Sequence, residues 1–189
     1  GGPASTTLKK PLKPDNLIYS LNIPILGICY GHQLICKHLG GNVINSKKRE
    51  FGKAFIKIKS KSKIFEGIYK KNNEYPVWMS HGDKVSKLPK SFSVIASTPN
   101  AKYAAIADED KKIYGLQFHP EVIHTLNGEK ILENFAKRIS SCKSNWRITD
   151  FIKNSLLKIK AEVKNQNVIC ALSGGVDSSV TAALLYKSI

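Results

Sequence analysis

Residues 24–33, Pro-Ile-Leu-Gly-Ile-Cys-Tyr-Gly-His-Gln, leave few folds open to this chain. A short apolar run stops at Gly27-x-Cys29-x-Gly31 and continues into Leu34, Ile35, His38 and Leu39, which have helical spacing. The pattern predicts a buried strand that turns sharply into a helix. Cys29 then sits at a strained, exposed elbow with the helix N-terminus behind it, and glycines on both sides allow the close backbone approach. The helix dipole favours a thiolate there, so a lowered thiol pKa is expected, and Cys29 is the candidate nucleophile.

The other cysteines, Cys36, Cys142 and Cys170, form no Cys-x-x-Cys pair and no zinc spacing with histidine. They read as small buried apolar residues in a reduced, cytosolic protein. No apolar run approaches the roughly 18 residues of a membrane span. The net charge is +16, which raises a nucleic-acid partner. Only Arg49, Arg138 and Arg147 of the 30 basic residues are arginines, and the lysines are scattered. That disfavours nucleic acid and favours a solvated lysine-rich surface.

In chain order, residues 1–5 read as a loop whose Gly1-Gly2 N–H groups could face an anion or simply make a turn. A short helix is expected near 15–20, then the elbow, with Gly40-Gly41 closing its helix. Short strands are expected near 55–59, 76–79 and 92–96. Between them Ser80-His81-Gly82-Asp83 reads as a binding loop or a turn. Residues 103–108 and 113–118 read as a hairpin that delivers His119-Pro120-Glu121. In an extended chain His119 and Glu121 project to one side, so the carboxylate can fix the imidazole tautomer. A structural histidine would fit the tripeptide too. Beside the Cys29 elbow it supplies a base and its orienter.

A helix is expected over 128–141, with a polar linker at 140–145 as the domain boundary. A second helix follows from about 149, with Phe151, Ile152, Leu156, Ile159 and Val163 in one apolar stripe. A buried strand over 167–172 then enters Ser173-Gly174-Gly175-Val176-Asp177-Ser178-Ser179, and a helix is expected over 180–186. Paired glycines, hydroxyl donors and a helix N-terminus make a phosphate cradle. It lacks the Walker A lysine, and Asp177 is placed to help hold magnesium.

Gly27-x-Cys29-x-Gly31-x-Gln33 with downstream His119-Pro120-Glu121 resembles the class I glutamine amidotransferases. The 173–179 loop resembles that of the N-type ATP pyrophosphatases. Their order, with Met79-Ser80-His81-Gly82-Asp83-Lys84-Val85 between, resembles the fused amidotransferase–synthetase family that aminates XMP. The resemblance implies an α/β fold: an amidotransferase domain (1–144) with a largely parallel central sheet flanked by helices, then the start of a Rossmann-like, adenine-nucleotide α-hydrolase-like domain (145–189).

It implies that Cys29 attacks the glutamine amide, His119 moves the proton and Glu121 orients it. The N–H groups of Gly2 and Tyr30 would form the oxyanion hole, and Gln33, Ser80, His81, Gly82 and Asp83 would hold glutamine. Ser173, Gly174, Gly175, Val176, Asp177, Ser178 and Ser179 would bind ATP with Mg2+ as a substrate complex, without a tightly bound organic cofactor. Ammonia would pass to adenylated XMP, giving GMP. The resemblance further implies a homodimer through a C-terminal region outside this chain, which is expected to be a fragment at both ends. Two other readings use the same residues. Another amidotransferase–synthetase pair, such as one serving carbamoyl phosphate or CTP synthesis, would have no use for the 173–179 loop. A non-catalytic basic binding protein would predict a broken triad.

Overall fold

The computed structural model describes residues 5–145 and 147–189, with Lys47 described by its backbone alone. The apolar run before Cys29 forms strand β1 (Ile25–Ile28), and the residues after it form helix α1 (Tyr30–His38). Gly27 makes the junction possible. A Cβ there would lie 2.6 Å from the Gly31 carbonyl and 2.5 Å from Ile35 Cδ1, so only a glycine lets α1 fold back onto β1. A Cβ at Gly31 meets nothing within 4 Å, so close packing does not demand the second elbow glycine. At its far end α1 closes as expected. Gly40 takes φ +93° and the Gly41 N–H returns to the Cys36 carbonyl at 2.7 Å, satisfying a carbonyl the helix leaves open.

β2 (Asn42–Ile58), β3 (Glu74–Lys87), β4 (Ser93–Ser97), β5 (Ala105–Asp108) and β6 (Ile113–Leu116) follow, and the sheet order is β1-β6-β5-β4-β2-β3. The α/β class stands, but the expectation of a largely parallel sheet does not. Among the described residues only β1 and β6 pair in parallel, and every other pairing is antiparallel. Strands β4, β5 and β6 follow one another through short connections without a helix, and such links bring a strand back antiparallel. Residues 43–97, expected as several short strands, form two long ones, β2 and β3, paired along most of their length, and only β4 is short.

Alternation across the sheet divides the core. Tyr114 and Leu116 face one side, with Ile56, Ile58, Met79, Phe118 and Ile131. Ile113 and Ile106 face the other, with Ile35 and Cys36 of α1. The helix expected over 128–141 begins as α2 (Gly128–Glu133) and widens into a π turn over Asn134–Ile139. There the Asn134 amide donates to the carbonyls of Ile64 and Glu66 at 3.1 and 2.8 Å.

Backbone contacts divide the chain into two units, the first ending at Cys142 and the second starting at Lys143. The second holds α3 (Ile148–Val163) and α4 (Val176–Ser188). Residues 167–172 form no ladder among the described residues, and Ile169 is 98% exposed, so the expected buried strand is absent. A strand needs a neighbour to take its hydrogen bonds, whatever its own composition. α4 also starts at Val176, not at 180, so four residues assigned to the loop are its first turn. Of the three cysteines read as buried, only Cys36 is; Cys142 is exposed and Cys170 half-buried. Among the described residues no helix is long and apolar enough to cross a membrane.

Candidate active site

Cys29 occupies φ 51°, ψ −102°, a conformation L residues avoid, at a cost of about 1–3 kcal/mol. Both neighbouring elements hold it there. Its N–H extends the β1–β6 ladder to the Leu116 carbonyl at 2.7 Å, and its carbonyl accepts the Gln33 N–H at 3.2 Å as the helix starts. The elbow thus faces an open cavity of about 830 Å³. Two expectations about the thiol fail. It is buried rather than exposed, at 6%. Burial pushes its pKa up and the Glu121 carboxylate adds to this, while the Tyr30 N–H and Gln117 amide only partly oppose them. Desolvation of a small anion outweighs the helix end here.

His119 and Glu121 line the same cavity. The pair forms as their spacing predicts: His119 Nδ1 lies 2.6 Å from Glu121 Oε1. That contact occupies one ring nitrogen and leaves Nε2, which is buried and has no hydrogen-bond partner among the described residues. The segment is tied to β3 on both sides of the histidine. The His119 N–H donates to the Trp78 carbonyl at 2.9 Å, and Thr125 Oγ1 both donates to the His119 carbonyl and accepts the Trp78 N–H. A histidine with one nitrogen oriented by a carboxylate and the other without a hydrogen-bond partner among the described residues can take and return a proton.

Ser80, His81, Gly82 and Asp83 also border the cavity, but not as a loop. They belong to β3 and pair with β2, as Ser80 with Phe51, His81 with Glu50, and Asp83 with Asn45. Their polarity marks a cavity wall within a ladder, which composition alone does not distinguish from a turn. The ladder breaks between Asn45 and Glu50, and residues 46–49 loop out of β2. Cys29 Sγ lies 3.5 Å from the Ser80 carbonyl, its acceptor.

Gln33 is buried, and its amide is already engaged, donating to the Asp83 carbonyl at 3.0 Å and to Gln117 Oε1 at 3.2 Å. Gln117 Nε2 in turn points at Cys29 Sγ from 3.8 Å. The chain of amides therefore ends at the Cys29 sulfur. Behind the wall, His81 Nε2 meets the buried Glu50 carboxylate at 3.1 Å, and Thr98 Oγ1 donates to the same carboxylate. Sequence reading missed Gln117, Glu50 and Arg49. Gln117 lies two residues before His119 in the same run, whereas Glu50 and Arg49 lie in a run of charged residues with no periodic signal.

Gly2 and the loop at 1–4 lie outside the described residues. Tyr30, the other expected oxyanion donor, opens α1 beside Cys29. Ser173 to Ser179 lie in the second unit. There Gly174 takes φ +82°, Ser173 Oγ lies 3.1 Å from Ser178 Oγ, and the hydroxyls of Ser178 and Ser179 both return to the Gly175 carbonyl. The turn opens directly into α4, whose first N–H groups have no intrahelical acceptor, a donor set suited to phosphate. Asp177 is exposed in that first turn. No cluster of three or more metal-ligating side chains occurs among the described residues.

A strained cysteine elbow between a parallel strand and a helix shares one cavity with a histidine–carboxylate pair. The chain belongs to the class I glutamine amidotransferase family, whose profile matches residues 1–139. Residues 166–189 match the HUP domain described for tRNA methyl transferases. Among its curated relatives are the glutamine-hydrolyzing GMP synthases of Bartonella henselae and Brucella melitensis. The first is 51% identical over 172 residues, 91% of this chain and 33% of that protein. The second is 48% identical over 190 residues, 100% of this chain and 37% of that protein. The chain thus spans about a third of the length of these relatives.

Among solved structures, a protein from Thermoplasma acidophilum described as part of a GMP synthase superimposes with a TM-score of 0.61 at 38% identity. The match covers 66% of this chain and 61% of that one. A glutamine amidotransferase from Thermotoga maritima shares the fold, with a TM-score of 0.50 at 24% identity over 90% of this chain and 56% of its own.

Proposed function

We propose that the cavity at Cys29 hydrolyses glutamine to glutamate and ammonia, and that the protein carrying this chain uses the ammonia to convert XMP to GMP. One observation carries the reading. The strained Cys29 shares a cavity with His119, whose Nδ1 is held by Glu121 and whose Nε2 is buried and unpartnered among the described residues.

Cys29 Sγ gives its proton to His119 Nε2 and attacks the side-chain amide carbon of glutamine. This resolves the raised thiol pKa, because the thiolate forms beside an imidazolium that Glu121 stabilises. The Tyr30 N–H, with that of Gly2, receives the oxyanion; removing one such donor typically costs about 10²–10³ in rate. His119 then protonates the leaving nitrogen, ammonia departs, and water attacks the thioester with His119 as base. Gln33 and Gln117 position the sulfur. Ser80 to Asp83 form the wall against which glutamine lies, and Asp83 offers negative charge to its α-ammonium.

The domain boundary falls at 144/145. The Ser173–Ser179 turn and the N-terminus of α4 hold the phosphates of ATP, and Asp177 helps hold its Mg2+, for adenylation of XMP. The reaction uses glutamine, ATP and XMP and releases glutamate, AMP, pyrophosphate and GMP. The free cysteines fit a cytosolic setting, and the resemblance to the synthetase family supports a homodimer formed through a C-terminal region outside this chain.

The test is Cys29→Ala in the full-length protein. Glutamine-dependent GMP formation should vanish while formation from added ammonia continues. Persistence of the glutamine-dependent reaction would remove Cys29 from the mechanism.

A further inference from the structure

At one place the lysine-rich surface folds into a cavity. Lys9, Lys10 and Lys13 precede a short 3-10 helix (Asn16–Ser20), and Lys37 stands in the last turn of α1. All four line a space of about 510 Å³ within the first unit. Among the described residues no aspartate or glutamate lines it, and none of the four lysines forms an ion pair. Asp15 is the one acidic residue between positions 5 and 46, and its carboxylate accepts the Leu17 N–H.

The frame of this cavity is held in place. Pro11 and Pro14 fix φ on the lysine-bearing segment. Tyr30 Oη donates to the Leu12 carbonyl at 2.7 Å and Lys37 Nζ to the Thr6 carbonyl at 2.6 Å, so α1 grips the segment at two points. The Lys37 ammonium keeps further N–H groups for a ligand. One wall is flat: the rings of Tyr19 and His38 stack with centroids 4.1 Å apart and 15° between their planes. Tyr19 also packs on the core cluster that holds Ile35 and Cys36, which steadies the stack.

Like charges around one cavity repel one another. An anion that brings several negative charges into a small volume relieves this best. A monocarboxylate does not meet that demand, and linked phosphates do. Lysine suits them, because a compact ammonium on a flexible stem docks phosphate as a point charge. A nucleic-acid strand calls for basic residues spaced along a groove, whereas these converge on one cavity. We propose that the cavity binds a small oligophosphate, a molecule with two or more linked phosphate groups. The site shares no lining residue with the Cys29 cavity. The lysines take the phosphates, and the Tyr19–His38 wall flanks any group that carries them.

The experiment maps lysine acylation by N-hydroxysuccinimide acetate, peptide by peptide, in the full-length protein without divalent cations. The probes are inorganic tripolyphosphate, ATP and a single-stranded DNA oligonucleotide. Tripolyphosphate should slow acylation of Lys9, Lys10 and Lys13 and leave the exposed Lys57 and Lys70 unchanged. In Lys10→Gln/Lys13→Gln the concentration that half-protects Lys9 should rise at least about tenfold. A thermal unfolding curve superimposable on that of the wild type shows that the double variant is folded. Protection by ATP at a lower concentration than tripolyphosphate upholds the site and makes its ligand a nucleotide; equal or weaker protection upholds it for the free oligophosphate. No slowing at Lys9, Lys10 and Lys13, or equal slowing at Lys57 and Lys70, overturns the proposal. Undiminished protection of Lys9 in the double variant does so too, since the anion then acts from elsewhere. Protection by the oligonucleotide at a lower concentration than by tripolyphosphate replaces the small ligand with nucleic acid.

Discussion

His32 should make the first unit sensitive to acid. It follows the elbow on α1 and is fully buried, with no close hydrogen bond to either ring nitrogen among the described residues and only a weak backbone contact at Tyr103 to oppose the burial. Burial, reinforced by the charge of nearby His81, lowers its pKa from 6.5 to about 3. The folded protein therefore keeps the imidazole neutral between those values, while the unfolded chain protonates it. Through this window the unfolded state binds more protons, so stability falls as pH falls from 6.5 toward 3. Each pH unit is worth about 1.4 kcal/mol, so about 2 kcal/mol should be lost by about pH 5. The perturbation is His32→Leu, which removes the titration while keeping an apolar group of similar size in the site. Urea unfolding at about pH 7.5 and about pH 5, followed by tryptophan fluorescence, gives the two stabilities. The wild type should lose about 2 kcal/mol more than the variant between the two conditions. Equal losses would show that His32 takes no part and that the site admits a proton freely.

The same histidine fixes residue 115. A Cβ at Gly115 would lie 2.3 Å from His32 Nδ1 and 3.0 Å from Ile106 Cγ1, so Gly115→Ala should cost about 1–3 kcal/mol by overpacking, read as a lower melting temperature. An unchanged melting temperature would mean that α1 yields easily. Glu50→Ala should cost about 1–3 kcal/mol, because it leaves a ring nitrogen of His81, whose side chain is 1% exposed, without its hydrogen-bond partner. Burial alone would raise the Glu50 pKa, but hydrogen bonds from His81 and Thr98 outweigh it and hold the pKa below 4.5. Its contribution is therefore complete above 4.5 and lost as pH falls through the lower folded value, a loss that Glu50→Ala should not show.

What the sequence disclosed about this site followed from local geometry. Cys29 was readable because an elbow needs a particular order of apolar, small and helical residues. His119 and Glu121 were readable because a two-residue spacing suffices to join them. Ser80 to Asp83 were visible as polar groups but misread as a loop, because their partners lie across a ladder some thirty residues earlier in the chain. The sheet direction was misjudged for a related reason: pairing is decided by which strands meet, and a motif at β1 carries no information about β2 and β3. Residues 167–172 have the composition of a buried strand and form no ladder, since composition cannot supply a neighbour. The thiol was misjudged because a helix end can be inferred from a motif, whereas burial depends on everything packed around it.

The conformation of Cys29 has a consequence for how this site persists. Glycine would occupy φ 51° more comfortably than cysteine does, and would leave the β1–β6 ladder and α1 intact. On the proposed mechanism, a chain that exchanged Cys29 for glycine would be inactive and, backbone for backbone, easier to fold. At this position thermodynamic drift runs toward loss of the reaction, and the cysteine remains only while the reaction is needed.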